Sequence, residues 1–243
     1  MRPVRDFEKQ LNNLDLEATV IASYVYAEMS IQHAASKSKS LLRTLNRTPT
    51  FWRTCYASFQ SSAYLALGRV FDIRSPYNID ALIASMEHDM SVFSREALAA
   101  RKASAGFSDP ARLHQYVANA HVLDSSDIRR IRRAVTRRRL VYDRAIMPVR
   151  HQYLAHRQAH GHASVQSLYG RGKVKEMWQL SCFLYHLHQA LWNLYTNGRK
   201  PELRVRVRLS PRAIFDRPGN YSGPHERIVR EVRILMRLLE SVA

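Results

Sequence analysis

The sequence predicts an all-α protein. Apolar residues recur at helical spacing along most of its 243 residues, and its 8 glycines and 9 prolines cluster at a few points, as long helices require. One short segment alternates with the period of a strand. With 46% hydrophobic residues, a chain of this length buries a core without disulfides. Cys55 and Cys182 lie in apolar stretches and are expected to be buried free thiols.

The N-terminal half contains three predicted long helices. The first covers residues 6–46, where alanine is frequent and apolar residues repeat at helical spacing. The segment RTPT ends it, and Pro49 suits the first turn of a second helix over residues 49–72. Asn78 is a suitable N-cap for a third helix over residues 79–102. Each helix carries apolar residues at helical spacing and therefore has a face to bury.

The middle of the chain predicts one short and one long helix. A short fourth helix begins at Pro110. The fifth covers residues 125–156, with Ser125 as its predicted cap. Pro148 lies inside this helix, where it lacks an N–H and clashes with the preceding turn, so we expect a kink or break near Met147.

The C-terminal part of the chain is less uniform. A sixth helix covers residues 173–195 and ends at Asn197-Gly198. Residues 201–209 (PELRVRVRL) alternate charged and apolar side chains, which indicates an edge strand or an extended arm. Residues 210–224 resemble a loop, and a last amphipathic helix covers residues 225–242. The composition shift after Gly198 predicts a bundle of about six helices, 1–198, and a C-terminal appendage, 199–243, with an extended arm and a terminal helix.

The charge of the chain indicates a polyanionic partner. Its 38 Lys and Arg residues exceed its 20 Asp and Glu residues, which gives a formal net charge of +18. Nucleic acid is the leading partner class, ahead of an anionic membrane surface or an acidic protein. The sequence has no apolar run of roughly 18 residues and no apolar signal core near its first residue. We therefore expect a cytoplasmic protein that does not span a membrane.

The segment most informative about chemistry is residues 148–157 (PVRHQYLAHR). On a helix, its apolar residues continue a stripe formed by Tyr142, Ile146, Val149 and Tyr153. Arg150 and His156 lie on opposite flanks of this stripe, about 120° apart and about 9 Å apart along the helix axis. A permanent cation and a titratable imidazole beside an apolar seam require a partner, a ligand or a cleft.

This segment resembles the HEPN motif. An Arg-His pair, Arg150-His151, is followed after four residues by His156, in the local context AHR. Phe51-Trp52 and the segment 65–72 (LALGRVFD) are similar to the helix that precedes the motif in the abortive-infection branch of the HEPN superfamily. The resemblance spans about residues 20–195.

The resemblance implies a helical bundle that dimerises and acts as a metal-independent endoribonuclease, often as a toxin or anti-phage defence effector. Arg150 would hold the scissile phosphate and stabilise the transition state. His156 would be the general acid or base, and His151 would orient the phosphate or a neighbouring group. The resemblance implies neither a cofactor nor a metal, and it makes an antitoxin protein a candidate partner.

The helix spacing favours a homodimer. At about 9 Å and on opposite flanks, one Arg150 and one His156 do not easily reach the same phosphate from a straight helix. A two-fold axis through the seam would supply the missing group from the second subunit. A kink at Pro148 is the alternative way to close this gap.

A run of arginines precedes the motif on the same predicted helix. Ile128, Ile131 and Val135 are spaced for the core, so most of the arginines between them face solvent. We predict that they track an RNA backbone, against the alternative of a solvated basic face. The predicted RNA contacts are Arg129, Arg130, Arg133, Arg137 and Arg157.

Other kinds of site and function are weighed against this hypothesis. His156 and His160 have half of the spacing of a zinc site, but no third ligand is evident, so no metal site is predicted. The first alternative function is a HEPN module that binds RNA or a nucleotide without cleaving it. The second is a helical dimeric regulator in which Arg150 and His156 serve only the interface.

Overall fold

The structure, a computed structural model, describes residues 3–150, 174–203, 210–217 and 223–241. All regular structure in these ranges is helical, which confirms the all-α prediction. The helices are α1 (Pro3–Lys37), α2 (Lys39–Asn46), α3 (Pro49–Phe71), α4 (Ile79–His88), α5 (Arg95–Ser104), α6 (Pro110–Ala118), α7 (Ser125–Ala145), α8 (Met147–Val149), α9 (Val174–Asn197), α10 (Pro211–Asp216) and α11 (Pro224–Ser241), with a 3₁₀ turn at Met90–Phe93. No helix in the described part of the chain is long and apolar enough to cross a membrane.

The predicted first helix, residues 6–46, is in fact two helices. Ser38 leaves the helical conformation, with φ −127° and ψ 114°, and its hydroxyl accepts a hydrogen bond from the Leu41 backbone N–H at 3.1 Å. The same hydroxyl donates to Glu240 at the end of α11. The prediction was wrong here because a serine side chain replaced the helical hydrogen bond that the apolar spacing had suggested.

The predicted third helix, residues 79–102, is likewise divided. Asn78 caps α4 as predicted, with its side-chain oxygen accepting from the backbone of residues 80 and 81. The helix then ends at His88, and Asp89 caps the 3₁₀ turn that follows. Ser94 caps α5 in turn, by accepting from the Ala97 backbone N–H at 3.2 Å. Two further polar caps therefore interrupt what the apolar pattern presented as continuous.

Three predicted helix ends have clear outcomes. The cap of α7 is Asp124 and not Ser125, because the Asp124 carboxylate accepts from the Asp127 backbone N–H at 2.8 Å. The predicted break before Pro148 is confirmed, since α7 ends at Ala145 and α8 begins at Met147. The predicted end of the sixth helix is also confirmed, with Gly198 following α9 at φ +57°.

The C-terminal region differs in part from its prediction. The predicted loop 210–224 contains a short helix, α10, whose first turn is capped by the Ser210 hydroxyl. The terminal helix is confirmed as α11. Residues 204–209, which carry the alternating pattern, lie outside the described residues, so the strand or arm stays a prediction. The division of the chain at residue 198 also stays a prediction.

The chain forms two compact units. The first comprises Met1–Leu16, Arg69–Leu140 and Phe183–Val205, and the second comprises Glu17–Gly68, Val141–Cys182 and Arg206–Ala243. Four long helices, α1, α3, α7 and α9, contribute residues to both units.

The first unit is organised around aromatic residues. The rings of Phe7 and Phe93 meet edge to face at 4.9 Å, and Phe7 also contacts Tyr195 at 5.2 Å. The Arg101 guanidinium lies 4.0 Å from the centre of the Tyr195 ring and donates to the Tyr195 carbonyl at 2.9 Å. Burial and the neighbouring Glu8 raise the pKa of the Tyr195 phenol to about 12, so this hydroxyl stays a donor at neutral pH.

The second unit has an apolar core of its own. Residues of α1, α2 and α11 share one buried cluster: Ala27, Ile31, Ala34, Leu41, Leu45, Val232 and Met236. The Tyr26 hydroxyl and the Cys182 thiol, both buried, contact each other at 3.5 Å. Both cysteines are free as predicted, but Cys55 is only partly buried.

Gly198 and Gly106 form a matched pair for a stability test, because both have positive φ, +57° and +89°. A Cβ at Gly198 would lie 2.6 Å from the Ala120 Cβ and 2.7 Å from Leu98, whereas a Cβ at Gly106 would meet nothing within 4 Å. We expect Gly198→Ala to lower the free energy of unfolding by roughly 2–4 kcal/mol, from backbone strain and overpacking, and Gly106→Ala by only about 1 kcal/mol. Urea unfolding of both variants measures the difference, and equal losses would contradict the close packing at Gly198.

Candidate functional site

Arg150 directly follows the break between α7 and α8. Ile146 closes α7 by donating to the Tyr142 carbonyl at 2.8 Å, and Arg150 donates to the Ile146 carbonyl at 3.1 Å. The helical path therefore resumes after Pro148, although Pro148 itself contributes no N–H. Tyr142, Ile146 and Val149 are buried, which confirms this part of the predicted apolar stripe, while Tyr153 lies outside the described residues.

The Arg150 side chain lies directly against the backbone of α3 at Gly68. A Cβ added at Gly68 would come within 2.4 Å of the Arg150 Nε, 2.6 Å of its Cδ and 2.8 Å of its Cζ. These are far below the 3.4–4 Å of an ordinary contact. Only glycine therefore allows the guanidinium to approach α3 this closely.

A second contact directs the Arg150 guanidinium. Its Nη1 donates to the Tyr142 hydroxyl at 3.3 Å, and Tyr142 is only 2% exposed. The phenol is a neutral acceptor, so this bond orients the guanidinium without cancelling its charge. The result is a half-buried, permanently charged side chain whose position depends on two helices, α3 and α7.

A buried carboxyl group ties α3 to α1 within the same unit. Glu28 is 2% exposed, and its Oε1 accepts from the Gln60 side chain at 2.8 Å and from the Gln32 side chain at 3.1 Å. Burial raises the pKa of the Glu28 carboxyl above its usual value, while the two amide donors oppose this shift. Gln60 lies on α3, so this network holds the helix that carries Gly68.

The other predicted catalytic residues lie outside the described residues. These are His151 and His156, together with the predicted RNA contact Arg157. Their roles therefore stay predictions. In the part of the chain that is described, no three His, Cys, Asp or Glu side chains are grouped so that they could hold a metal ion.

The seven arginines between residues 129 and 139 of α7 fall into two groups. Four of them contact other side chains of the first unit. Arg130 pairs with Asp127 at 2.6 Å and Arg139 with Asp80 at 2.5 Å, while Arg132 pairs with Glu87, also at 2.5 Å. The guanidinium of Arg138 lies 5.7 Å from the centre of the Phe183 ring. Asp80 and Glu87 belong to α4 and Phe183 belongs to α9, so Arg132, Arg138 and Arg139 fasten α7 to its neighbours.

Arg130 is further engaged on its other side. Besides Asp127, it donates to the Pro201 carbonyl at 3.1 Å. Asp127 is fully buried and also bonds to His121 at 2.5 Å, so Arg130 completes a closed network at the start of α7. Arg130 was predicted to contact RNA, and this stays a prediction: its guanidinium makes these contacts within the protein, while its side chain is 39% exposed.

The second group is an exposed stripe formed by Arg129, Arg133 and Arg137. These residues follow one another at four-residue intervals and therefore lie along one side of α7. None of them pairs with an acidic side chain among the described residues. We refer to these three residues as the basic stripe, and it retains the predicted capacity to bind a polyanion.

The helical architecture, together with the motif that begins at Arg150, defines a HEPN protein of the abortive-infection type. The HEPN_AbiU2 (AbiU2) family model matches residues 5–215, a range that includes the whole motif and every helix from α1 to α9 except the first two residues of α1. The chain therefore belongs to the AbiU2 family of HEPN proteins, and the predicted resemblance to the HEPN superfamily is confirmed. Neither the curated proteins nor the solved structures contain a significant match.

The contact between Arg150 and Gly68 was missed by the sequence analysis. Gly68 was quoted only as part of the segment LALGRVFD. An isolated glycine within a helical pattern costs about 1 kcal/mol relative to alanine and therefore signals a packing or functional reason. That signal could have singled out Gly68, but it could not have identified Arg150 as the residue that requires it.

The basic stripe can be tested without any assumption about activity. We expect Arg129, Arg133 and Arg137 changed together to Gln to elute from heparin at a clearly lower salt concentration than the unchanged protein, because three exposed cations are lost from one surface. The matched control changes Arg227, Arg230 and Arg237, three exposed arginines of α11, to Gln. Equal shifts for both triple variants would mean that net charge alone, and not the stripe, determines binding.

Proposed function

We propose that the chain is a metal-independent endoribonuclease of HEPN type that acts in abortive infection or a related toxin system. The observation that supports this proposal is the position of Arg150. At the start of the motif, the structure holds a permanent cation against a glycine and a phenol instead of leaving it free in solvent. The motif also lies wholly inside the range of the AbiU2 match.

The proposed reaction is attack of an RNA 2′-hydroxyl on its own 3′-phosphate. His156 removes the proton from the 2′-oxygen, which forms a bond to phosphorus while the bond from phosphorus to the leaving 5′-oxygen breaks. A protonated His156 then supplies a proton to the 5′-oxygen. Arg150 stabilises the extra negative charge on the phosphoryl oxygens, and His151 orients the phosphate. The products are a 2′,3′-cyclic phosphate and a 5′-hydroxyl.

We propose that the active form is a homodimer. On a straight helix, Arg150 and His156 would be about 9 Å apart along the axis, so a second motif brought across a two-fold axis would supply the group that one motif lacks. Two His156 side chains would also separate the roles of base and acid between the subunits.

The basic stripe and Arg157 would hold the RNA strand. Exposed arginines bind phosphates without reading the bases, and they release counterions as they do so. An RNA-binding HEPN module without cleavage is the second candidate function, because the basic stripe supports binding by itself. A regulatory dimer is the third candidate function. If the chain is a toxin, an antitoxin protein is the partner that would restrain its activity.

Digestion of RNA in excess EDTA tests the proposal. We expect purified protein to cut RNA and leave cyclic-phosphate ends, and we expect Arg150→Ala and His156→Ala to lower the rate by about 10²–10⁴-fold. Arg144→Ala is the matched control, because Arg144 is an exposed arginine of α7 outside the motif. Folding and oligomeric state are checked by circular dichroism and light scattering. If the unchanged protein cuts no RNA, or if Arg150→Ala and His156→Ala cut RNA at the same rate as the Arg144→Ala control, the catalytic proposal is abandoned in favour of a binding module.

Gly68→Ala tests whether the position of Arg150 matters and not only its presence. The new Cβ would lie 2.4 Å from Nε, so the guanidinium must move by about 1 Å to reach a 3.4 Å contact. A displacement of this size costs about 10²-fold in rate. Alanine also favours the helix, so we expect the melting temperature to stay level or rise while cleavage falls.

The matched control for Gly68→Ala is Ser58→Ala, which raises helix propensity at an exposed position of the same helix. We expect Ser58→Ala to leave kcat and KM unchanged. A Gly68→Ala protein that cleaves RNA at the normal rate would show that Arg150 acts from some other position. Loss of both stability and activity would assign Gly68 a packing role alone.

A further inference from the structure

The first unit contains a groove that the proposed catalytic motif does not use. It lies between α6, the segment that precedes α6, and the end of α9, and its volume is about 500 Å³. This volume falls within the range of about 300–1,000 Å³ that is usual for small-ligand sites. Two aromatic side chains line the groove: Phe107, which is 38% exposed, and Tyr116, which is 36% exposed.

The aromatic side of the groove is held in place before any ligand binds. The rings of Phe107 and Tyr116 have centroids 6.4 Å apart and are tilted by 35°. The Tyr116 hydroxyl donates to the Asn197 carbonyl at 2.9 Å, and the Lys102 amine lies 5.2 Å from the centre of the Tyr116 ring. Asn197 and Gly198, at the end of α9, also line the groove.

The polar side of the groove is cationic. Arg112 and Arg199 line it, and none of the described residues that line it is acidic. Arg112 pairs with Asp109 at 3.2 Å, but its side chain stays 81% exposed, so it remains accessible to an anion. An exposed aromatic pair beside two guanidinium groups fits a ligand that has both a flat ring and a phosphate.

The groove is connected to the basic stripe within the same unit. Arg199 is followed by Lys200 and Pro201, and the Pro201 carbonyl accepts the hydrogen bond from Arg130 of α7. Arg129, the first residue of the stripe, is the neighbour of Arg130 in the chain. The segment after α9 therefore runs from the groove to the helix that carries the stripe.

We propose that this groove binds one unpaired nucleotide of an RNA strand. Its base stacks on Phe107 and Tyr116, its phosphate contacts Arg112 or Arg199, and the strand continues along the basic stripe. A base within a duplex cannot enter, because both of its faces are already stacked. The inference deepens the proposed function, since it rests on RNA as the substrate, and it assigns unpaired RNA as the preferred class.

The test measures binding in the full-length protein with His156→Ala as the background, so that RNA stays intact. The probes are a labelled single-stranded oligonucleotide of mixed sequence and a labelled RNA duplex of the same length, followed by fluorescence anisotropy. We expect Phe107→Ala to weaken binding of the single strand about tenfold and to leave duplex binding unchanged, since stacking acts only on an accessible base. Phe107 is partly exposed in a connecting segment, so its removal spares the fold.

Two controls separate stacking from charge. Phe51→Ala removes an exposed phenylalanine of α3, which is 60% exposed, and we expect it to leave both affinities unchanged. Arg199→Gln should lower the dependence of log K on log salt for the single strand by about 0.7, the amount expected for one lost phosphate contact. Arg227→Gln on α11 should leave that slope unchanged.

These binding measurements decide whether the groove binds an unpaired nucleotide, whether or not the protein cleaves RNA. Equal losses for Phe107→Ala and Phe51→Ala, or equal losses for single strand and duplex, would overturn the inference. Competition by AMP at the concentration at which the oligonucleotide competes would also overturn it, because the site would then bind a free nucleotide. If the wild type never cuts RNA but Phe107→Ala selectively weakens single-strand binding, the groove stands and the catalytic proposal falls.

Discussion

The contact between the Arg150 side chain and the backbone of α3 at Gly68 is the constraint on which the candidate site depends. A guanidinium keeps its charge in any protein environment, so the chain controls its effect only through position. Here, position is determined by a missing Cβ on one side and a buried phenol on the other. The Glu28–Gln60 hydrogen bond anchors α3, and α7 ends at Ala145, so that α8 begins separately at Met147. The site is therefore prepared by packing, while the chemistry is left to the motif.

The arginines of α7 show how one helix combines attachment with an exposed charge. Arg132 and Arg139 pair with Glu87 and Asp80, and such partly exposed pairs contribute at most about 1 kcal/mol each. The larger effect of these two ion pairs is to neutralise the charges of Arg132 and Arg139 and to orient α7. Between residues 129 and 139, the exposed cations without an acidic partner among the described residues are then Arg129, Arg133 and Arg137. This sorting gives α7 a cationic side in a chain whose formal net charge is +18.

Periodicity of apolar residues predicted the all-α class and the course of α3, α9 and α11, because a buried helical face leaves a repeating pattern in the sequence. It failed at Ser38 and Ser94, where short polar side chains bonded to the backbone and ended helices that the pattern had joined. It could not show which arginines of α7 are paired, because Glu87 and Asp80 are distant in sequence. The contact of Arg150 with Gly68 and the groove between α6 and α9 were hidden for the same reason.

The preference for unpaired RNA at the groove is also what the proposed chemistry requires. Attack by a 2′-oxygen needs the leaving 5′-oxygen to lie opposite it across the phosphorus, and a paired A-form strand holds the sugar and phosphate away from that alignment. The proposed reaction uses no metal ion to polarise the phosphate, so it would depend all the more on geometry and on a fixed cation such as Arg150. The basic stripe cannot select such a strand, since phosphate contacts are blind to pairing. The exposed rings of Phe107 and Tyr116 can, because they admit a base only after it has left the helix.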